Sequence, residues 1–112
     1  MLRNLLAALA LAVAACSPAI PENITLKPEA QSVEFATETP SPNAYALVAT
    51  ITSDAAAKEI DDAILSAKND LRNKAAAMGA TLVIVDETIP DKDFVREKRI
   101  VHLKGRAFKV KE

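Results

Sequence analysis

Two patterns predict an α+β fold in which a small, antiparallel-rich sheet packs on one long helix. Apolar residues recur at spacings of three and four over about residues 55–78, which is typical of an amphipathic helix. Strands are indicated by one continuous apolar, β-branched run and by three segments in which apolar and polar residues alternate. These segments cover residues 81–85, 32–37, 45–52 and 99–109. The predicted order along the chain is strand, strand, helix, strand, strand.

The two N-terminal strands are separated by a proline-rich turn at residues 39–43. In the first strand, Val33 and Phe35 share one face and Glu34 lies on the other, as expected of a half-buried strand. The second strand alternates in the same way. Its apolar face consists of Tyr45, Leu47, Ala49 and Ile51. We therefore expect each of these strands to turn only one face to the core.

The helix is predicted from a stripe of apolar side chains on one of its faces. This stripe consists of Ile60, Ile64, Ala67, Leu71, Ala75 and Met78. Polar residues fall largely on the opposite, solvent-facing side, and they are Asp61, Asp62, Lys68, Asn69, Arg72 and Asn73. Ser53 or Asp54 is expected to cap the first turn. Gly79 is expected to end the helix, because glycine readily adopts the left-handed backbone conformation.

The two C-terminal strands differ in their patterns. Residues 81–85 are almost continuously apolar, which predicts a central strand buried on both faces. The last strand alternates, with Val101, Leu103 and Ala107 in phase. Phe108 and Val110 fall out of this phase. A bulge near Gly105 would return both to the core side.

Residues 1–15 have the features of an export signal. Arg3 supplies a positive charge, and an apolar run follows from residue 5 to residue 15. A helix needs about 20 apolar residues to cross the core of a bilayer, so this run is too short for a permanent anchor. We therefore leave the signal out of the predicted fold.

The end of this signal, residues 13–16 with the sequence Val-Ala-Ala-Cys, resembles the lipobox of bacterial lipoproteins. By this resemblance, a signal peptidase cleaves before Cys16 and the thiol receives lipid, with palmitate among the acyl chains. Ser17 resembles the sorting residue of lipoproteins that are sent to the outer membrane. The alternative is ordinary cleavage after residues 12–14, which would leave a soluble periplasmic protein with a free thiol.

The mature chain is predicted to consist of a tether and one domain. Residues 16–31 carry the lipidated cysteine and three prolines without sustained periodicity, which is typical of an extended tether. Some fifteen such residues reach about 45 Å at most. Residues 32–112 are too few for more than a single α+β domain.

Charge and cysteine content exclude several function classes. The 112-residue chain has 14 basic and 15 acidic side chains and a net charge of −1. The signal contains one of the basic groups, Arg3, so 13 basic against 15 acidic groups give the mature chain about −2. This balance does not favour nucleic-acid binding. Because Cys16 is the only cysteine, its lipidation leaves no thiol for a disulfide. No cofactor is predicted.

A family resemblance rests on residues 69–84, with the sequence NDLRNKAAAMGATLVI, and on residues 104–108, with the sequence KGRAF. They resemble segments of small envelope lipoproteins related to the stress sensor RcsF, and also of the heavy-metal-binding YbjQ-type domain. The resemblance implies a small α+β domain in the bacterial envelope. RcsF and several relatives carry disulfides in this domain, and this chain has no cysteine after Cys16, so their disulfide-linked features are not implied.

Few residues have the arrangement that chemistry requires. His102 is the only histidine and is predicted to lie on the solvent side of its strand, without the further ligands that a zinc site needs. Four carboxylates near one turn could form a weak cation site, because hard cations accept carboxylate oxygens. They are Asp86, Glu87, Asp91 and Asp93. A solvated turn is the alternative explanation, and no other metal site is predicted.

Catalysis is not predicted. Asp61 and Asp62 are adjacent on the helix and point about 100° apart, so they do not converge on a substrate. The other close pair, Asp91 and Asp93, also lacks a partner for acid and base chemistry. A basic cluster could contact anionic lipid headgroups or a partner protein, or could be a solvated strand edge. It consists of Arg96, Lys98 and Arg99, followed by Lys104 and Arg106.

These observations together predict a lipid-anchored envelope protein. We expect a non-catalytic role in protein interaction, sensing or assembly, at the outer membrane and facing the periplasm. The expected partners are the membrane, through the N-terminal lipid, and another envelope protein. The alternative is a domain that binds a small ligand or a metal ion on the periplasmic side, which the acidic turn and the YbjQ-type resemblance motivate.

Overall fold

One long helix and a mixed sheet make up the computed structural model, which describes residues 20–91 and 98–111. Within these residues, the strands are β1 (Glu34–Ala36), β2 (Tyr45–Ala57), β3 (Leu82–Pro90) and β4 (Arg99–Val110), and the helix is α1 (Ile60–Ala77). A short 3-10 turn, Pro28–Ala30, precedes β1. The predicted α+β class and the predicted order of elements are confirmed.

The strands of the sheet follow the order β1-β3-β4-β2. Strand β4 is antiparallel to both of its neighbours, and β1 is parallel to β3. The sheet is therefore antiparallel-rich, as predicted. Strand β2, helix α1 and strand β3 form a crossover in which the two strands are parallel to each other but are separated by β4.

The core lies between α1 and one face of the sheet. Leu71 is the largest fully buried side chain of the helix, and it packs in a cluster with Val83, Val101 and Leu103 from the strands. The other buried helix residues of this cluster are Ala63, Ala67 and Ala75. Because most side chains along this face of the helix are the small ones of alanine, the helix can lie close to the sheet.

The helix begins later than the sequence predicts. Strand β2 continues to Ala57, and α1 starts at Ile60 with Glu59 in the N-cap position. The prediction that Ser53 or Asp54 caps the helix is therefore wrong. The cause is pairing, because β4 supplies a partner for every β2 residue from position 49 to position 57. This pairing outweighs the helix propensity of the alanines that end β2.

The C-terminal end of the helix agrees with the prediction at Gly79 and differs at Met78. Gly79 has a φ of 79°, the left-handed conformation expected of the residue that ends a helix. Met78, predicted to belong to the core stripe, is 44% exposed. It lies beyond the last helical residue, where the periodicity of the helix no longer sets its direction.

A bulge does occur beside Gly105, but on the neighbouring strand. The register shifts between Val85 and Glu87 of β3, whereas β4 keeps a regular alternation. Phe108 and Val110 therefore lie on the sheet face that points away from α1, and the prediction that a bulge returns them to the core side is wrong. Phe108 is nevertheless only 6% exposed.

The structure differs from the sequence prediction at the end of the predicted tether. Residues 22–31 lie on the domain, along the edge of β2 and then along α1. Ala30, in the 3-10 turn, is fully buried. The physical reason is that polar side chains of the helix bind the backbone of this segment. The rest of the predicted tether and the predicted signal, except residues 20 and 21, lie outside the described residues.

Candidate functional site

The sheet face that points away from α1, called the open face here, carries a row of cationic side chains on β4. His102, Lys104 and Arg106 alternate with the core residues of that strand. Residues two apart on a strand lie about 6.6 Å from each other. Each member of this row has hydroxyl or carboxylate neighbours on the adjacent strands.

His102 lies between two carboxylates. Its Nδ1 is 2.6 Å from Oδ1 of Asp54, and its Nε2 is 3.5 Å from Oδ2 of Asp91. The hydrogen bond to Asp54 raises the pKa of His102, with smaller contributions from Asp91 and from the charges of both carboxylates, while desolvation opposes this shift. The side chain is partly exposed and lies on the side of β4 that the sequence predicted to face solvent. The imidazole ring stands between the two carboxylates and keeps them apart.

We expect His102 of the folded protein to titrate with a pKa above 6.5, and Asp54→Asn to lower this pKa more than Asp91→Asn does. Because the pKa is raised on folding, the stabilisation is complete below about pH 6.5 and is lost as the pH rises through the folded-state value. The chain has one histidine, so its ring protons can be followed by NMR without ambiguity. An Asp54→Asn variant with an unchanged midpoint would contradict this assignment.

Arg106 forms the strongest polar contact of the open face. Its guanidinium donates hydrogen bonds to both oxygens of Asp86 at 2.9 Å and a further one to Oγ1 of Thr39 at 3.1 Å. The bidentate geometry raises the pKa of Arg106 above its ordinary value. Since Thr39 precedes β2 and Asp86 belongs to β3, this contact ties a loop to the middle of the sheet.

The structure does not bring the predicted acidic cluster together. Asp86 pairs with Arg106, whereas Asp91 lies beside His102. These two partners are four residues apart on β4, or about 13 Å along the strand. Glu87 is the pairing neighbour of Lys104, and Asp93 lies outside the described residues. No group of three metal-binding side chains occurs among residues 20–91 and 98–111.

The predicted basic interaction surface is only partly described. Lys98 forms an ion pair with Glu22, which belongs to the segment packed on the domain. Arg99 is exposed and is the first residue of β4, opposite Ala57 of β2. Arg96 lies outside the described residues. The two described members therefore lie where the N-terminal segment meets the sheet.

A row of polar side chains on α1, most of which the sequence predicts to face solvent, binds backbone instead. Ser66 Oγ accepts a hydrogen bond from the Ile24 amide at 2.8 Å, and Asn69 Nδ2 donates one to the Ile24 carbonyl at 3.0 Å. Asn73 accepts from the Lys27 amide at 2.8 Å and donates to the carbonyl of residue 25 at 2.9 Å. We call Ser66, Asn69 and Asn73 the helix ladder. Their spacing of three and four residues places them on one line of the helix.

Arg72 extends this contact beyond the helix ladder. Its Nε donates to the carbonyl of Val33 at 2.9 Å, and its Nη2 donates to the carbonyl of Gln31 at 2.9 Å. The same guanidinium lies 5.9 Å from the centre of the Phe35 ring, which Lys68 also approaches at 5.7 Å. Arg72 therefore holds the chain where it enters β1. A regular line of amide side chains on a helix was the signal that could have revealed this site.

The predicted lipidation residue, Cys16, lies outside the described residues. Within the described part of the chain, no helix is both long and apolar enough to cross a bilayer. The candidate sites in the described residues are therefore the open face, where His102 and Arg106 contact carboxylates, and the helix ladder, which binds the chain's own backbone.

Comparison with known proteins identifies the domain. A family model described as Domain of unknown function (DUF4156) matches residues 24–109, which include the helix ladder, strands β1 to β3 and all of β4 except Val110. No curated protein and no solved structure matches the chain significantly. The match begins inside the segment that packs on α1 and covers more than half of the chain. The chain therefore belongs to the DUF4156 family.

Proposed function

We propose that the protein is a bacterial envelope lipoprotein in which lipid on Cys16 holds a non-catalytic domain at the outer membrane, facing the periplasm. The observation that carries this proposal is the position of the chain's only cysteine, directly after a charged residue, a short apolar run and small residues. The family match begins at residue 24, so this segment precedes the matched domain. The relation to RcsF is part of the same proposal.

The role of the domain in this proposal is contact with another envelope protein, in sensing or assembly. The chemistry of the open face supports this role over catalysis, because carboxylates engage its histidine and its arginine. Arg106 is bonded to Asp86, and His102 lies between Asp54 and Asp91. A face with paired charges and exposed hydroxyl groups suits recognition of another surface better than general acid and base chemistry.

The alternative role, binding of a metal ion or small ligand, has less support from the geometry. The acidic residues that motivated it are distributed between two cations of β4 rather than around one point. A hard cation requires several oxygen ligands at about 2.3–2.6 Å, in the case of calcium, from a single centre. Protein contact is therefore the function that we propose.

Lipid attachment is tested by metabolic labelling with palmitate and by intact-mass analysis of the mature chain. We expect the wild-type protein to take up label and to gain the mass of acyl chains, and Cys16→Ala to take up none. Ser17→Ala is the matched control, since it changes the adjacent residue and keeps the thiol. A wild-type chain that is cleaved after residue 14 and carries a free thiol would disprove attachment.

The protein-contact role is tested by crosslinking in intact cells, followed by mass spectrometry of the captured complexes. A single envelope protein recovered reproducibly with the wild type is the expected result. Recovery of only nonspecific neighbours would count against the proposed role.

A further inference from the structure

Residues 22–29, called the strap here, follow a bent path across two elements of the domain. The strap starts at the edge of β2, where the Ala56 amide donates to the carbonyl of Pro21 at 2.9 Å and Glu22 pairs with Lys98. Asn23 then adopts a positive φ of 52°, a conformation that asparagine tolerates better than most residues. This bend directs the chain from the sheet edge onto α1.

The strap is held mainly through its backbone. All four hydrogen bonds from the helix ladder go to amides and carbonyls of residues 24, 25 and 27, at 2.8–3.0 Å. The bonds of Asn73 are exposed to solvent, and those of Ser66 and Asn69 are partly buried. Of the strap side chains, Ile24 packs against the core as a partly buried residue. These backbone hydrogen bonds hold the strap in place on the helix, and the strap buries little apolar surface.

The chain directly after the strap is held in a different way. Ala30 is fully buried and Val33 is 1% exposed, and both belong to the buried interior of the domain. Arg72 bonds the carbonyls of Gln31 and Val33 at 2.9 Å. Residues 30–33 therefore form a firm attachment. The change from polar backbone contacts to buried side chains falls at Ala30.

We infer that the strap is a releasable segment that sets the distance between the domain and its membrane anchor. When the strap is docked, the spacer between Cys16 and the packed part of the chain ends at about residue 21. When it is released, the spacer continues to Ala30 and gains eight residues, or about 25 Å if they are extended. This inference rests on the proposed lipid attachment at Cys16, since the strap sets a distance from the membrane only if the chain is anchored before it.

Release of the strap is favoured because the free energy gained from its contacts is small compared with the entropy that docking costs. Ordering each residue of an extended segment costs backbone entropy, and a partly solvated hydrogen bond offsets only a fraction of that cost. Segments with few buried apolar contacts open locally, without unfolding of the core. The strap meets this description, and β2, whose edge it follows, does not, because each β2 residue from position 49 to position 57 pairs with β4.

Hydrogen exchange of the full chain in detergent tests release directly. We expect the amides of Ile24 and Lys27 to exchange at least about tenfold faster than the amides of β4, because they open by a local event. The double variant N69A/N73A removes three of the four ladder bonds and should accelerate both amides further by roughly tenfold. Asn43→Ala, the same chemical change in the turn before β2, is the matched control and should leave both amides unchanged.

Two outcomes of this exchange experiment would overturn the inference. In the first, Ile24 and Lys27 exchange as slowly as the β4 amides, which means that the strap opens only on global unfolding. In the second, N69A/N73A accelerates the strap and β4 equally, which means that the strap opens only together with the sheet and is not a separately releasable segment. Neither measurement depends on lipid at Cys16, so each separates failure of the strap from failure of the proposed anchoring.

The change in distance is measured with the lipidated chain in vesicles. A single cysteine introduced at exposed Thr50 carries a fluorophore, and energy transfer to a membrane dye reports the height of the domain. N69A/N73A should lower the transfer relative to the wild type, and Asn43→Ala should not. Equal transfer in all three proteins would overturn the role of the strap in setting distance, even where exchange shows that it opens.

Discussion

We expect Leu71→Ala to lower the free energy of unfolding by about 3 kcal/mol, the typical cost of truncating a buried leucine. Leu71 is fully buried in the middle of α1 and belongs to the cluster between the helix and the sheet. Its helix neighbours in that cluster are mostly alanines, so no adjacent large side chain of the helix can move into the cavity. Urea unfolding followed by circular dichroism measures this loss.

The matched control for Leu71→Ala is Leu65→Ala on the same helix. Leu65 is 59% exposed, so its truncation removes little buried area and should change the free energy of unfolding by less than about 0.5 kcal/mol. Both variants place the same residue in the same helix, so differences in helix propensity cancel. Equal losses in the two variants would show that the described burial does not govern the stability of the domain.

Replacing Gly105 by alanine should destabilise the protein by about 2–3 kcal/mol, the upper part of the range for an overpacked site. A Cβ at position 105 would lie 2.5 Å from the carbonyl oxygen of Ile84 and 3.4 Å from its carbonyl carbon. Both atoms belong to the backbone of β3, so relief requires movement of a central strand rather than of one side chain. Differential scanning calorimetry should show a midpoint lower by roughly 10 °C or more.

Gly79→Ala separates this steric effect from the general cost of replacing glycine. A Cβ at position 79 would meet no heavy atom within 4 Å, and the penalty comes only from the positive φ of 79°. A non-glycine residue in the left-handed conformation costs about 1 kcal/mol. Gly105→Ala should therefore unfold at a clearly lower temperature than Gly79→Ala. The reverse order would contradict the close approach of β3 and β4 at position 105.

Much of the fold could be predicted from periodicity, because the main elements carry long and consistent patterns. The apolar run at residues 81–85 predicted a buried strand, and the apolar stripe that includes Leu71 predicted the buried face of α1. The start of α1 could not be predicted. Alanines 55–57 fit a helix as well as a strand, and the decision depends on pairing with a strand more than 40 residues away. Such a partner leaves no local signal.

The helix ladder was hidden for a similar reason. Asn69 and Asn73 were assigned to the solvent side of α1 because they are polar and lie opposite the apolar stripe. In the structure, that side is covered by the strap, whose own sequence has no periodicity and predicts no packing. Backbone groups have the same polar chemistry in every residue. The sequence of the strap therefore carries no mark of the contact.

The contacts of the open face could not be predicted either, because they join residues from distant parts of the sequence. Alternation correctly placed His102 on the solvent side of β4. Its neighbours Asp54 and Asp91 come from different elements, and their approach depends on the register of β2 with β4 and on the path of the chain after β3. Sequence spacing instead grouped Asp86 with Asp91. A bulge and the pairing of β3 with β4 direct these two carboxylates to different partners.

The position of β4 has a consequence for the order in which the domain assembles. Strand β4, which follows the other three described strands along the chain, lies inside the sheet and joins β2 to β3. Until residues 99–110 are present, β2 and the β1-β3 pair have no shared ladder, and α1 has only disconnected strands beneath it. A ribosome or translocation pore that still holds these residues therefore keeps β2 apart from the β1-β3 pair. Completion of the sheet therefore requires β4 to be free to pair with both β2 and β3.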